Sequence, residues 1–428
     1  MKKMNFMARL ISVFAICSCL CFSAFAEEIN SGSAKHEPIT EQLITMLEHN
    51  LELKKMLIES IEKAHKINPD KVTNPVKTLE EYYIFIDWAA KAMPWSIMPN
   101  IPYSSLYDQI DQSLDFFYFV NDQPLAGLKG KGYYNNSLQY HEPYRTWLIN
   151  FTKAWGLYLS REESWNDEYY KKALEDDRFG LSKGWYEAPS KWKSFNDFFA
   201  RHLKSPDQRP IAAQNDTSIV SAPADSKPQG VWKIDNKSNI LHKKGVTIKS
   251  AVFTSIATLI GEESLYQNAF ANGTLTHTFL DVDDYHRYHF PVDGTIKEVR
   301  IIQSDDAVGG FLTYDPKTKK YALDANTPGW QNIETRGCVI IETPKYGLVA
   351  LLPIGMSQVS SINFEKSVKV GSTVKKGDML GYFLFGGSDF VMLFQSKVNF
   401  TLTAPKASDG TRKHILMGEE YGRLTVRK

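Results

Sequence analysis

The sequence predicts an α+β protein in which a helical N-terminal domain precedes a mostly β C-terminal domain. Between residues 40 and 175, apolar residues recur every three or four positions, as Leu43, Leu47 and Leu51 do, which is typical of amphipathic helices. After Ile211, runs rich in Val, Ile, Thr and Phe are punctuated by Gly, Asp and Pro, which is the pattern of strands and hairpins.

The length and this change of pattern predict the domain organisation. The chain has 428 residues, a length typical of roughly two or three domains. We expect a helical domain at residues 27–175, an amphipathic helix and linker at 176–211, and the β domain at 212–428. No internal repeat is evident.

The first 26 residues have the layout of a secretory signal peptide. A basic start, MKKMNFMAR, is followed by the apolar run LISVFAICSCLCF and by an A-x-A step at residues 24–26. The apolar run is short for a membrane-spanning helix. We therefore expect cleavage before Glu27 and export to the periplasm or the cell exterior, with a retained anchor as the alternative.

Charge and cysteine content exclude some classes of protein. The net charge is +1, and removing residues 1–26 takes away three basic residues and no acidic one, which leaves −2. A near-neutral chain gives no reason to expect a nucleic-acid partner. Three of the four cysteines lie in residues 1–26, so only Cys338 remains and no internal disulfide is expected.

Helical periodicity predicts four helices in the first domain. Thr78 and Glu81 form a capping-box signature at the start of the second. No catalytic cluster is evident in this domain, and its aromatic stripes are typical of a core. The four predicted helices lie within residues 39–67, 78–93, 104–125 and 144–159.

Three segments of the β domain carry residues with catalytic chemistry. They are SAPADS, which contains Asp225; DVDDYHRYHFPVDGTI, which contains His286 and His289; and FGGSDF, residues 385–390. Each has a structural interpretation when taken alone. The first fits a turn, and the Gly-Gly step fits a β-bulge. The His-x-x-His pair has no nearby Cys and no clear third ligand, so we predict no metal site.

Taken together, these segments resemble the phosphatidylserine decarboxylases, which are pyruvoyl-dependent enzymes. The resemblance covers roughly residues 190–405, and its most specific parts are YHRYHFPVDG and the Gly-Gly-Ser step after KGDMLG. The helical region, with EEYYIFIDWA, DFFYFVNDQPL and DDRFGLSKGW, is similar to the N-terminal domain of one branch of this family. That branch includes L-tryptophan decarboxylases.

The resemblance implies that the chain cuts itself between Gly387 and Ser388. Ser388 is then the nucleophile, His289 the base that activates it, and Asp225 the residue that orients the base, as in other Asp-His-Ser arrangements. The chemistry suits these residue types, because serine is a weak nucleophile without a base and glycine adopts backbone conformations closed to other residues. A positioned base contributes roughly 10²–10⁴ in rate.

The resemblance also implies the cofactor. Ser388 would become a covalent pyruvoyl group at the start of a small chain, residues 388–428, whose ketone binds a substrate amine and accepts electrons as carbon dioxide leaves. No external cofactor would be needed. His286 is the residue implied to contact the substrate.

The sequence departs from the family pattern at two positions and contains one competing motif. Asp389 follows the serine where Thr or Ser is common, and Ser226 follows the Pro-Ala-Asp turn where Gly is usual. The triplet Gly371-Ser372-Thr373 also looks like a cleavage motif, but it precedes the Lys-Gly-Asp turn, so we favour Ser388.

Three functions follow from the resemblance. The leading one is a phosphatidylserine decarboxylase that forms phosphatidylethanolamine; the alternatives are a decarboxylase of a free aromatic amino acid such as tryptophan, and a binding module that has lost self-cleavage through Asp389. The expected assembly is two chains from one precursor, with a homodimer as a further expectation. The segments around Trp95 and Trp192 are candidates for peripheral membrane contact, with packing between domains as their alternative role.

Overall fold

The computed structural model describes residues 35–98, 103–128, 136–242, 246–247, 254–305, 307–324, 328–356 and 361–427. The predicted signal peptide lies outside these residues. The chain divides into two compact units, the first comprising Met1–Tyr158 and Phe311–Leu323, the second Leu159–Gly310 and Asp324–Lys428. No helix in the described part of the chain is both long and apolar enough to span a membrane.

The first unit is built mainly from helices. The expected single helix over residues 39–67 is wrong at one point, because Asn50 leaves the helical conformation with φ −135° and ψ 84°. Its side-chain oxygen accepts the Leu53 N–H at 3.0 Å and so caps a second helix. The helices of this unit are α1 (Pro38–His49), α2 (Leu51–Ile67), α3 (Leu79–Ala89), α4 (Leu106–Phe119) and α5 (Tyr144–Leu159).

Local capping and aromatic packing stabilise these helices. The predicted capping box of α3 is confirmed, since the Thr78 hydroxyl accepts the Glu81 N–H and the Glu81 carboxylate accepts the Thr78 N–H. Phe117 of α4 stacks on Phe151 of α5 with ring centroids 4.8 Å apart, and both are fully buried. Burying such a side chain contributes about 1.5–3 kcal/mol.

The observed units differ from the predicted domains at two places. Phe311–Leu323, predicted within the β domain, belongs to the first unit, where the Tyr321 hydroxyl donates to the Thr73 carbonyl at 2.7 Å and accepts from the Asn68 amide at 2.7 Å. Residues 159–175, predicted with the helices, belong to the second unit. There the Trp165 ring stacks on Phe198 with centroids 4.5 Å apart.

The second unit is mainly antiparallel sheet, which confirms the predicted α+β class. The strands of the chain are β1 (Ile219–Ser221), β2 (Lys227–Ile234), β3 (Ile240–His242), β4 (Val246–Thr247), β5 (Thr274–Leu280), β6 (Arg287–His289), β7 (Gly294–Ile302), β8 (Phe311–Asp315), β9 (Lys320–Asp324), β10 (Thr335–Thr343), β11 (Gly347–Met356), β12 (Ile362–Phe364), β13 (Thr373–Val374), β14 (Met379–Phe383), β15 (Gly387–Phe394), β16 (Val398–Leu402) and β17 (Glu420–Val426). The largest sheet of the second unit has nine strands in the order β13-β7-β10-β11-β15-β5-β2-β3-β4, and two three-stranded sheets have the orders β12-β14-β6 and β1-β17-β16. β8 and β9 pair only with each other and form the hairpin of the first unit.

Short helices complete this unit. The amphipathic helix predicted within residues 176–211 is only five residues long, and its first turn is capped by Ser194 and Asp197. The α-helices are α6 (Asp167–Leu174), α7 (Phe195–Phe199) and α8 (Ile256–Ile260). Short 3₁₀ segments in the two units lie at Pro94–Ser96, Ala126–Leu128, Leu138–Tyr140, Glu162–Ser164, Asp177–Phe179, Leu181–Lys183, Pro189–Lys191, Pro206–Gln208 and Trp330–Asn332.

The core of the second unit runs through the central strands β10, β11 and β15. Their sequences are nearly continuous apolar runs because both faces of the sheet are covered, and all but one residue of each strand is buried. β15 lies between β11 and β5. The Gly-Gly-Ser step therefore enters the sheet at a central, buried strand.

Neither candidate membrane-contact tryptophan is exposed. Trp95 retains 3% of its accessible surface and Trp192 retains 5%. Trp192 packs against Phe198 of α7 with centroids 5.5 Å apart. Both indoles are core residues of their own units, so neither supplies the expected membrane contact in this conformation.

Candidate active site

The Gly-Gly step forms the entry to β15. β14 ends at Phe383, and after three further residues Gly387 begins β15 opposite Met356 of β11. Gly386 has φ +142°, a conformation that residues with a side chain rarely adopt. The unusual backbone therefore lies immediately before the peptide bond that joins Gly387 to Ser388.

Ser388 is a buried hydroxyl without a partner. It is fully inaccessible and lies in the sheet opposite Gly355 on one side and Leu280 on the other. Its Oγ makes no hydrogen bond to any residue that the structure describes. An unsatisfied buried hydroxyl costs about 1–3 kcal/mol, so such a group is uncommon unless it has a chemical role.

His289 has the protonation state that a general base requires. It lies in β6, where it pairs with Met379 of β14, and its Nδ1 donates to the Gly377 carbonyl at 2.8 Å. Burial lowers the pKa of His289 to about 4, although the Gly377 hydrogen bond and the charge of Asp225 act in the opposite direction. The ring is therefore neutral at pH 7, and Nε2, 3.2 Å from the Tyr285 hydroxyl, carries the lone pair.

Asp225 lies beside His289 but does not orient it. The His289 backbone N–H donates to the Pro223 carbonyl at 2.7 Å, which brings the Pro-Ala-Asp turn next to β6. The Asp225 carboxylate is instead held by Arg209, at 2.9 and 2.6 Å, and by the Met417 N–H at 2.7 Å. In this structure the Gly377 carbonyl, and not the Asp225 carboxylate, accepts the hydrogen bond of His289 Nδ1, and the Asp-His-Ser arrangement stays a prediction.

His286 lies beside the segment that leads to Ser388. Its carbonyl accepts the Phe383 N–H at 2.9 Å, and its ring stacks on Phe199 with centroids 3.7 Å apart. Neither ring nitrogen has a hydrogen-bond partner among the described residues. Burial, and then the charge of Arg201, hold the pKa of His286 well below its usual range. The ring is thus a neutral, desolvated group.

Helix α7 covers this segment. The Asn196 side chain accepts the Phe385 N–H at 3.1 Å. Phe195 and Phe199 meet the Phe385 ring edge to face, with centroids 5.3 and 5.1 Å apart. An apolar cover of this kind excludes water from the neighbourhood of the Gly387–Ser388 bond.

The structure places the strands that carry the predicted site residues close together, but it does not show these residues as a hydrogen-bonded triad. β6, which carries His289, pairs with β14, and β14 leads into Ser388. No hydrogen bond joins Ser388 Oγ to His289 Nε2 in the described chain. Catalytic hydrogen bonds are often long before the reacting geometry forms, so this arrangement remains compatible with a Ser-His pair.

A cavity opens at His289. Its volume is about 800 Å³, and its lining includes Tyr285, His289, Met379 and Met417. This size falls within the range of small-molecule sites. The lining also includes the His202 imidazole and charged side chains, among them Lys204, Asp207 and Lys376.

Sequence reasoning missed three groups at this site. Tyr285 and Gly377 fix the two nitrogens of His289, and Arg209 pairs with Asp225. Tyr285 and Arg209 lie within segments that carried the family resemblance, so their proximity to the predicted residues was available as a signal. The carbonyl of Gly377 leaves no signal in the sequence, because every residue has one.

The structure shows the surroundings of the two residues that differ from the family pattern, Ser226 and Asp389, and of the competing serine, Ser372. The Ser226 hydroxyl accepts from Thr278 at 2.7 Å and donates to the Ala224 carbonyl at 3.1 Å. Ser372 lies in the turn before β13, after Gly371 with φ +89°, and is partly exposed. Asp389 is fully buried, with hydrogen bonds of its own.

Comparisons with known proteins identify chains that are similar to this one. The family model for phosphatidylserine decarboxylase matches residues 195–423. The chain is 33% identical over 248 residues to phosphatidylserine decarboxylase proenzyme 2 of Oryza sativa subsp. japonica, covering 58% of this chain but only 36% of the rice protein. It is 32% identical over 278 residues to phosphatidylserine decarboxylase proenzyme of Fusobacterium nucleatum, covering 64% of this chain and 83% of that protein. It is 29% identical over 277 residues to decarboxylase iboD of Amanita muscaria, covering 59% and 77%.

Proposed function

We propose that this chain, which belongs to the phosphatidylserine decarboxylase family of carboxy-lyases, is a decarboxylase. In this proposal its precursor cuts itself between Gly387 and Ser388. One observation carries the proposal. A buried serine hydroxyl without a partner directly follows a glycine pair whose first member has φ +142°.

Self-cleavage needs only groups of this chain and one water. Ser388 Oγ attacks the Gly387 carbonyl carbon while His289 Nε2 takes the hydroxyl proton. The C–N bond then breaks and Nε2 returns that proton to the departing nitrogen, which leaves an ester and a free amine on residue 388. His289, neutral again, takes the Cα proton of residue 388, which expels the Gly387 carboxylate and leaves dehydroalanine. Water converts that residue to a pyruvoyl group and releases ammonia. Because Oγ and Nε2 are not hydrogen-bonded in the structure, the attack requires a local movement of β6 or of the start of β15.

The surroundings of residue 388 fit a pyruvoyl group. That group supplies a ketone that acts as an electron sink for decarboxylation of an amine-bearing acid. Residue 388 is held in the sheet between β11 and β5, and His286, with free ring nitrogens, lies beside the segment that precedes it. We assign His286 to contact with the substrate carboxylate, or to proton delivery after carbon dioxide leaves.

The proposed substrate is phosphatidylserine, with phosphatidylethanolamine as product. The names of the rice and Fusobacterium relatives support it. The second candidate is a free aromatic amino acid such as tryptophan. The relative from Amanita muscaria, named as a decarboxylase without reference to a phospholipid, supports that candidate.

Two measurements on the purified protein test the proposal. Denaturing electrophoresis and intact mass should show a fragment of residues 388–428 with a ketone in place of the serine amine, whereas Ser388→Ala should stay whole. Carbon dioxide release from phosphatidylserine vesicles and from tryptophan then identifies the substrate. An intact wild-type chain without a carbonyl reactive toward hydrazine would leave only the binding-module hypothesis.

We also propose export, with removal of residues 1–26. N-terminal sequencing of the protein from its native source should then begin at Glu27. A lipid substrate further requires contact with a membrane surface, which flotation with phosphatidylserine vesicles tests. Light scattering of the processed protein tests the proposed homodimer.

A further inference from the structure

The residue after the nucleophile carries a buried negative charge. Asp389 is fully inaccessible in β15, and because successive side chains on a strand point to opposite faces, its carboxylate lies on the face of the sheet away from the Ser388 hydroxyl. A buried carboxylate is costly unless it is hydrogen-bonded. Its donors therefore decide whether it disturbs the neighbouring peptide bond.

Three donors surround the carboxylate. His277 Nδ1 lies 3.0 Å from Oδ2, the Gln331 amide nitrogen lies 2.8 Å from the same oxygen, and the Phe390 N–H donates to Oδ1 at 2.9 Å. His277 lies in β5 opposite Val391, so the contact joins two neighbouring strands.

Both side-chain donors are themselves held in place. The His277 ring stacks on Trp232 with centroids 4.9 Å apart, is fully buried, and has no partner for Nε2 among the described residues. The Gln331 side-chain oxygen accepts the Gly329 N–H at 2.8 Å. These contacts fix the donors toward Asp389 rather than toward solvent.

We propose that His277 and Gln331 are positioning residues for self-cleavage, which act through Asp389. The inference rests on the proposed function. During cleavage, negative charge develops on the Gly387 carbonyl oxygen, one residue before the nucleophile. An unpaired carboxylate at Asp389 would oppose that charge, whereas a carboxylate that shares two charge-assisted hydrogen bonds on the far face opposes it less. The same bonds hold the first residues of β15 against β5, which keeps the scissile bond in register. The acidic residue that departs from the family pattern is thus accommodated by a pair of donors specific to it.

The test measures the cleavage rate of freshly translated precursor, sampled over time on a denaturing gel. His277→Phe keeps an aromatic ring against Trp232 but removes the donor, and we expect cleavage to slow by about 10- to 100-fold, as for a buried charged group that loses a hydrogen bond. Asp389→Thr removes the charge that needed the donor. The double variant H277F/D389T should therefore recover to within about threefold of the wild-type rate, a rescue that simple loss of packing would not produce.

A second pair of variants tests whether misfolding, and not the lost donor, explains the slow cleavage of the first pair. Gln331→Leu should also slow cleavage and be rescued by Asp389→Thr. The control is Gln395→Leu, at the residue that follows the last residue of β15, which should cleave as the wild type does. A wild-type rate in H277F and Q331L, or double variants as slow as the single ones, overturns the inference. Failure of the wild-type chain itself to cleave would instead overturn the proposed function, so the two failures are distinguishable.

Discussion

Acidification should destabilise the protein through His289, and the size of the effect follows from its burial. Burial lowers the pKa of His289 from 6.5 to about 4 in the folded chain. Between these values the unfolded chain binds a proton that the folded chain does not. The stability that neutral His289 contributes is therefore fully present above pH 6.5 and is lost as the pH falls toward 4.

The magnitude is about 3 kcal/mol at pH 4, from about 1.4 kcal/mol for each pH unit between the two pKa values. The comparison uses His289→Gln in a Ser388→Ala background, so that both proteins are single, uncut chains. The glutamine variant lacks this titration, while His286 and the other groups are the same in both. The wild-type histidine should thus lose about 3 kcal/mol relative to glutamine between pH 7 and pH 4.

Urea unfolding followed by tryptophan fluorescence at intervals from pH 4 to pH 7 measures the difference. The free energies of the two proteins should run parallel above pH 6.5 and diverge below it. A constant difference across the whole range would show that His289 titrates equally in the folded and unfolded chains. That result would refute its desolvated state, and with it the neutral base at Nε2.

Three further predictions concern single contacts. Ser388→Ala should remain one chain on a denaturing gel; a fragment of residues 388–428 from it would contradict the assignment of the cleavage site. Arg209→Met should lower the free energy of unfolding in urea by about 3–5 kcal/mol, because it leaves the buried Asp225 carboxylate without its ion-pair partner. The double variant R209M/D225N should recover part of this loss. An equal loss in both variants would contradict the charge-pair explanation. Phe199→Ala should cost about 3–5 kcal/mol by the same assay, through loss of the stack on His286 and the cavity left behind, and a change below about 1 kcal/mol would contradict that packing.

Features that depend on neighbouring residues were predictable. The capping box of α3 joins residues three apart. The glycine pair before Ser388 includes Gly386, whose positive φ is a conformation that glycine adopts more readily than other residues. The helix break at Asn50 was missed, because the apolar period continues across it and only the capping contact to Leu53 shows where the second helix starts.

Features that depend on distant residues were not predictable in the same way. The carbonyl that orients His289 comes from Gly377, 88 positions away, and the donor that holds Asp389 comes from His277, 112 positions away. The hairpin at Phe311–Leu323 belongs to the first unit through Tyr321, which contacts residues about 250 positions earlier.

The sequence by itself predicted the α+β class, which the structure confirms, and its resemblance to a family led to the prediction of Ser388, His286 and His289 as site residues. Only the tertiary structure decided that Gly377 rather than Asp225 orients His289, that Arg209 neutralises Asp225, and that Asp389 has its own donors. The physical reason is that a buried polar group must be satisfied by whichever group the fold places within about 3 Å of it, and strand pairing, not local sequence, sets that neighbour.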